Sequence, residues 1–167
     1  MVTQRIQHLA QLNIGRLRYE LDDPRMADFV GNLTRLNAIA DRAKGFVWRL
    51  QDVSGNATSY RPFGKDLRMA VNMSVWENAA ALERYVWQTV HKLLYGRRHE
   101  WFEKLDGPYF VMWCVPAGHV PSLEEAVERL EHLRCYGPSD HAFGWESLPA
   151  AQLWRQHNAH DLHRCAD

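Results

Sequence analysis

At 167 residues with 46% hydrophobic and 24% charged side chains, the chain has the length and balance of one globular domain with a sizeable core. Its Lys and Arg total of 20 equals its Asp and Glu total of 20, so no net field draws it to nucleic acid or to an anionic membrane. The N-terminus lacks the unbroken apolar core of a signal peptide, and no stretch reaches membrane-spanning length. Cys114, Cys135 and Cys165 are widely spaced with no CxxC pair, which speaks against a thiolate zinc site and suits a cytoplasmic location. Cys114 lies in an apolar run and reads as a small buried thiol.

Taken in chain order, residues 6–17 alternate Ala10, Leu12 and Ile14 with Gln11, Asn13 and Gly15, which predicts a strand with one apolar and one polar face. Asp23-Pro24 supplies a helix start, with Asp23 as N-cap and Pro24 where its missing N–H is harmless. Met26, Phe29, Val30, Leu33, Leu36 and Ile39 form the helix's apolar stripe, and Gly45 suits its C-terminal end. A second strand covers 46–51, and the turn-rich stretch after it reads as a hairpin connection or protruding ribbon.

Met69, Val71 and Met73 alternate with polar or small residues in a third strand, and Asn78 then caps a single long helix running to about Phe102. One stripe of that helix holds Leu82, Val86, Val90 and Leu93; a second holds Trp87, His91, Leu94 and Arg98. Residues 109–115 form a fourth, continuously apolar strand, and Ser122 with Glu125 makes the capping box of a further helix. The segment SDHAFGW is a candidate short edge strand.

The order strand, helix, strand, strand, helix, strand, then an extra C-terminal helix predicts an α+β fold of the ferredoxin-like, split βαβ kind with a four-stranded antiparallel sheet. Two long helices would cover one sheet face and leave the other bare. A bare apolar face is best covered by a second copy of the chain, so a homodimer whose sheets enclose a cavity is expected. Residues 1–148 form this domain, and 149–167 form a tail. In the tail, Trp154 is too large an apolar group to leave in water, so the tail is expected to dock on its own or the partner subunit with Trp154 as anchor. His157, His160 and His163 stand three apart there, but without a packed surround they are not expected to form a metal site.

The segments LAQLNIGRLR, GFVWRLQD, RPFG, VNMSVWEN, HKLLYGRRHEWF and WCVPAGHVPSLEEAVERLEHLRCYGPSDHAF together resemble a bacterial family of unknown function, over roughly residues 8–145. That family is placed in the dimeric α/β-barrel superfamily, beside the antibiotic-biosynthesis monooxygenases. The resemblance implies a dimeric α/β barrel. It leaves the reaction open, because the superfamily holds cofactor-free oxygenases, cyclases, haem proteins and non-catalytic dimers.

In some small quinone-forming monooxygenases of that superfamily, an asparagine and a tryptophan spaced like Asn72 and Trp76 hold a phenolic substrate. Asn72 would stabilise the phenolate oxygen and Trp76 would stack on the ring. Against this, Trp76 could simply plug the end of the fold. Gln11, Asn13 and Arg49 would complete a polar wall, with the guanidinium favouring an anionic group, unless Arg49 pairs with a carboxylate at the dimer interface. Trp48 and Trp113 are candidate stacking walls, and His91 is a candidate catalytic base. The expected activity is therefore that of a small-molecule enzyme, a monooxygenase or cyclase acting on a flat aromatic ligand without a cofactor. Two alternatives stand beside it: a haem-binding enzyme with His91 as axial ligand, and a non-catalytic ligand-binding or stress-response dimer.

Overall fold

The computed structural model describes residues 5–164, with the side chains of His91 and of residues 159–164 outside that description. Four strands, β1 (Gln7–Arg16), β2 (Phe46–Arg49), β3 (Met69–Trp76) and β4 (Phe110–Pro116), form one sheet in the order β2-β3-β1-β4. Every pairing is antiparallel. Helix α1 (Ala27–Ala40) joins β1 to β2. The run from α2 (Ala79–Tyr85) through α3 (His91–Leu94) to α4 (Arg98–Trp101) joins β3 to β4. Two more helices follow, α5 (Leu123–Tyr136) and α6 (Gln152–Arg164). This is the split βαβ order that the alternation and helix signals predict. No helix among the described residues is long and apolar enough to cross a membrane.

The caps sit where their chemistry directs. Asp23 accepts from Arg25 N at 2.9 Å and opens a 3₁₀ turn, Pro24–Met26, that leads into α1. Asn78 accepts from Ala81 N at 3.0 Å, and Ser122 from Glu125 N at 3.1 Å. Gly45 has φ +85°, and a Cβ there would lie 2.6 Å from that of Ala81, so glycine is required both by conformation and by the close approach of α2.

The register sorts the side chains into rows. On the face under α1 and α2, Phe110, Asn13 and Asn72 share a row, with Met112, Gln11, Ser74 and Arg49 in the next. Beyond these lie Gly15 and Ala70 on one side, and Cys114, Leu9, Trp76 and Phe46 on the other. The opposite face carries Ala10, Leu12, Ile14, Val75, Val111 and Trp113.

That opposite face is not bare. Ala126, Leu130 and Leu133 of α5 pack on it, together with Ala57, Tyr60 and Phe63 from the 50–68 connection, so Leu12, Val75 and Trp113 are fully buried within one chain. The connection is folded inward rather than protruding: Asp52 accepts from Ser54 N, Ser59 N and the Thr58 hydroxyl, and Asn37 of α1 donates to Asn56 at 2.7 Å. The homodimer and its inter-sheet cavity were inferred from an uncovered face, and that premise is removed. The reason is that α5, expected as an appendage, is amphipathic and supplies the cover itself.

Two local expectations also change. Phe143 exchanges both backbone hydrogen bonds with Met112, at 2.8 and 3.0 Å, so the expected edge strand is reduced to a single bridge that caps β4. Cys114 is exposed on this edge strand, not buried, and desolvation with the nearby Asp140 charge raises its pKa above the usual thiol value. A thiol shifted that way is no activated nucleophile.

If α5 is an integral part of the core, Leu130→Ala will cost about 2–5 kcal/mol in denaturant unfolding without splitting the transition in two. A cost below about 1 kcal/mol would show that the helix is peripheral.

Candidate functional site

The chain from Ala79 to Trp101 reads as one helix by periodicity, but it changes winding four times. Between α2 and α3, residues Val86–Val90 form a π turn, and Tyr95–Arg97 forms a 3₁₀ turn before α4. A π turn bonds i to i+5, so it inserts a residue and rotates everything beyond it. The two stripes read from the sequence therefore converge. Val86 and Val90 from one, and Trp87, Leu94 and Arg98 from the other, all line the same cavity. Interruptions of this kind are frequent at functional sites.

The cavity has a volume of about 780 Å³ and lies between the sheet and the helices of a single chain. Gln11, Asn13, Asn72 and Phe110 come from the sheet, Phe29, Leu33 and Leu36 from α1, and Tyr85 and Trp87 from the opposite side. Trp145 and Trp154 also line it. Phe110 and Trp145 stack with centroids 5.5 Å apart and planes 7° apart, and Trp87 meets Trp145 edge-on at 6.2 Å. Flat aromatic walls of this kind suit a flat aromatic guest.

Helix α6 is held against this wall by a buried carboxylate. Glu83 is 8% exposed and accepts from Leu153 N at 2.7 Å and Trp154 N at 3.2 Å, which satisfies two donors of the helix's first turn. Trp154 packs against the cluster formed by Trp76, Leu82, Phe143 and Trp145, and His157 stacks on Trp87 at 5.1 Å. His160 and His163 have side chains outside those described.

The polar part of the cavity is a short hydrogen-bonded chain across β1 and β3. Gln11, 4% exposed, donates from Nε2 to Asn72 Oδ1 at 2.7 Å and to Ser74 Oγ at 2.8 Å, and Trp76 Nε1 donates to the same Oγ at 2.9 Å. Because Asn72 accepts through its oxygen, its NH₂ group is the part left to face the cavity. Asn13 is directly opposite Asn72 in the sheet. Neither the Asn72 NH₂ nor the Asn13 amide has a partner among the described residues. Two amides thus offer donors side by side under aromatic walls.

Other expected members fall elsewhere. Trp76 is fully buried one row behind, stacked on Tyr85 at 5.1 Å and edge-on to Phe46, so it supports the wall and orders Ser74 but does not reach the cavity. Trp48 and Trp113 stand on the other sheet face, opposite Val75 and Ala10 respectively, and Trp113 Nε1 donates to Glu125 at 2.9 Å. Arg49 is on the expected face but on the edge strand, where it binds Asp41 at 2.7 Å and the carbonyl of Gly55 at 2.6 Å. A carboxylate of its own chain holds it, and it does not line the cavity. His91 opens α3 just past the π turn; its side chain is outside those described, so neither the base nor the haem-ligand role gains geometry.

Tyr85, Trp145, Arg61 and Arg98 line the cavity and were not expected to. The excess of tryptophans hinted at aromatic walls, and Arg98 shared a stripe with Trp87, but nothing in the spacing announced the π turn that unites them. Burial pushes the Tyr85 hydroxyl above the ordinary phenol range, and it donates to Leu36 O at 3.0 Å, so Tyr85 stays protonated and is no base.

Among the described residues, one group could bring three ligand atoms together: Glu128, His132 and His141, within 4.8 Å of one another. Arg129 Nη1 lies 2.6 Å from His141 Nδ1. A guanidinium only donates, so that nitrogen accepts and Nε2 carries the proton toward Glu128 at 2.9 Å. The arrangement is a surface ion-pair network, and the imidazole lone pair a metal would need is already engaged.

Fold and cavity together define an α+β chain with an aromatic pocket lined by residues of that chain. The chain belongs to the DUF3291 family, a domain of unknown function, whose model matches residues 8–160. Comparison with curated proteins gives no match. Among solved structures, the chain is similar to SnoaB, a cofactor-independent oxygenase from Streptomyces nogalater, at 18% identity and a TM-score of 0.44, covering 68% of this chain and 96% of that one. At that level the likeness carries no argument about reaction.

The Arg49 pair gives a test that separates structure from chemistry. Its hydrogen bond holds the Asp41 carboxyl below the usual carboxylate range, against the opposing desolvation. A depressed folded-state pKa contributes stability above the unfolded value and loses it as pH falls through the folded value. Asp41→Asn will therefore flatten part of the fall in melting temperature below about pH 4, and Arg49→Gln will do the same while leaving ligand affinity unchanged. Loss of ligand binding in Arg49→Gln, with its melting temperature intact, would return Arg49 to the site.

Proposed function

We propose that the protein is a small-molecule enzyme of oxidative metabolism that takes a flat phenolic substrate into this cavity and needs no bound cofactor for its chemistry. One observation carries the reading: the Gln11–Asn72–Ser74 network orients an amide donor into an aromatic-walled cavity. A phenol loses its proton more readily where donors wait for the oxyanion, and the Asn72 amide, fixed by its hydrogen bond from Gln11, needs no reorganisation to supply one. Asn72 and Asn13 hold the oxygen, while Trp145, Phe110 and Trp87 hold the ring plane.

An electron-rich phenolate can react with O₂ directly. Phenol plus O₂ gives quinone plus water: one oxygen atom becomes the new carbonyl, and the other leaves as water with the two hydrogens lost from the ring and its hydroxyl. The protein's part is to favour the anion, orient the ring and keep bulk water from the intermediate.

The test is oxygen uptake with a panel of polycyclic phenols. On a phenol that is turned over, Asn72→Ala will lower kcat about 10²-fold, and Gln11→Leu will lower it less, because the donor remains but is no longer aligned. Gly15→Ala serves as a shape control. Its Cβ would stand 2.6 Å from the Phe102 ring, so displacement of that ring will raise KM with little change in kcat. Turnover that is indifferent to Asn72→Ala would overturn the assignment. Tight binding of the panel with no oxygen uptake would favour a ligand-binding protein.

A further inference from the structure

We propose that Arg98, with Arg61, recognises a carboxylate on the cavity's ligand, so that the ligand class is the hydroxylated aromatic acid. The inference rests on the reading of the cavity as a site for flat phenols and goes beyond it by assigning the charged end.

Among the described residues, two guanidiniums line the cavity against a single carboxylate, that of Glu146. Arg49, Arg97 and Arg134 pair with acidic groups at 2.7–2.9 Å, but Arg61 and Arg98 have no carboxylate partner among the described residues. Arg61 donates to the carbonyls of Thr58 and Tyr60, and the guanidinium of Arg98 lies over the Tyr95 ring at 4.0 Å. These contacts hold each side chain in place, and both residues, exposed at the cavity margin, keep their charge free of any carboxylate among the described residues. A guanidinium beside apolar walls is a bidentate receptor for a carboxylate.

The backbone fixes where Arg98 sits relative to the amides. Phe102 N bonds to Arg98 O at 2.8 Å, and Phe102 forms a bridge with Leu17 just past the end of β1. Arg18 N to Trp101 O and Glu103 N to Arg16 O, both at 2.8 Å, clamp the same turn to the strand end. The Phe102 ring lies against Gly15, which is two residues along β1 from Asn13 and on the same face. Two strand residues span about 6.6–6.8 Å, comparable to the width of a fused aromatic ring system. A ligand whose hydroxyl meets Asn13 and Asn72 and that runs along β1 toward Gly15 reaches the Phe102 ring there, four residues along the chain from Arg98, which lines the same cavity from its exposed margin.

The experiment is equilibrium dialysis of the full chain with a hydroxynaphthoic acid and, separately, its methyl ester. The acid is expected to bind at least about tenfold more tightly than the ester. Its affinity should fall with added salt while the ester's does not. Arg98→Gln will cut the acid's affinity about tenfold and leave the ester's unchanged, and Arg98→Lys will restore part of the loss; Arg61→Gln will show a smaller effect of the same sign. Equal binding of acid and ester by the wild-type chain would overturn the carboxylate assignment and leave the aromatic cavity standing. Binding of neither compound, with the fold intact by near-ultraviolet circular dichroism, would overturn both.

Discussion

Gln11 lies in the middle of a four-stranded sheet, almost fully out of solvent, with a side-chain amide that must find partners inside the protein. Its neighbours across β3 are Ser74, directly opposite, and Asn72, one row away. By donating to both, Gln11 ties β1 to β3 through side chains as well as backbone and decides which end of the Asn72 amide faces the cavity. A leucine there would leave Ser74 and Asn72 without these bonds and their orientation. A buried amide of this kind is costly unless fully partnered, so the polar strip is an ordered element within an otherwise apolar sheet.

The rest of the architecture can be understood as making room over that strip. On the far face, α5 and the 50–68 connection close the sheet with ordinary apolar packing. On the near face, α1 and the broken helical run stand away from Asn13 and Asn72 and leave a cavity instead of a core. The π turn at Val86–Val90 contributes by turning Trp87 and Val90 toward the same space, and Glu83, one turn earlier, fastens α6 beside it. Wall, floor and closure therefore come from one chain.

Much of the fold was legible because its signals are local. Strand alternation in β1 and β3, the caps Asp23, Asn78 and Ser122, and the glycine at position 45 each follow from residues a few positions apart. The amide strip was legible for the same reason, since Gln11, Asn13 and Asn72 announce themselves as polar positions in half-buried strands. What escaped depends on tertiary context. The face taken by Trp113 follows from its pairing with Ala10, and the occupation of Arg49 follows from an aspartate at the end of α1. The winding change in the long helix has no pattern of its own in the 3.6-residue period. The covered sheet face was missed because α5 was read only as an extra helix, whereas its Ala126, Leu130 and Leu133 pack on the sheet.

The account stands or falls on where a flat phenol binds. The most direct measurement is a crystal structure of the protein soaked with a polycyclic phenol from the oxygen-uptake panel. The account predicts the ring against the wall formed by Trp87, Phe110 and Trp145, with its oxygen within about 3 Å of the Asn72 and Asn13 amides. A ligand ordered against α5 or at a contact between copies, with the cavity over Gln11 filled only by solvent, would contradict it.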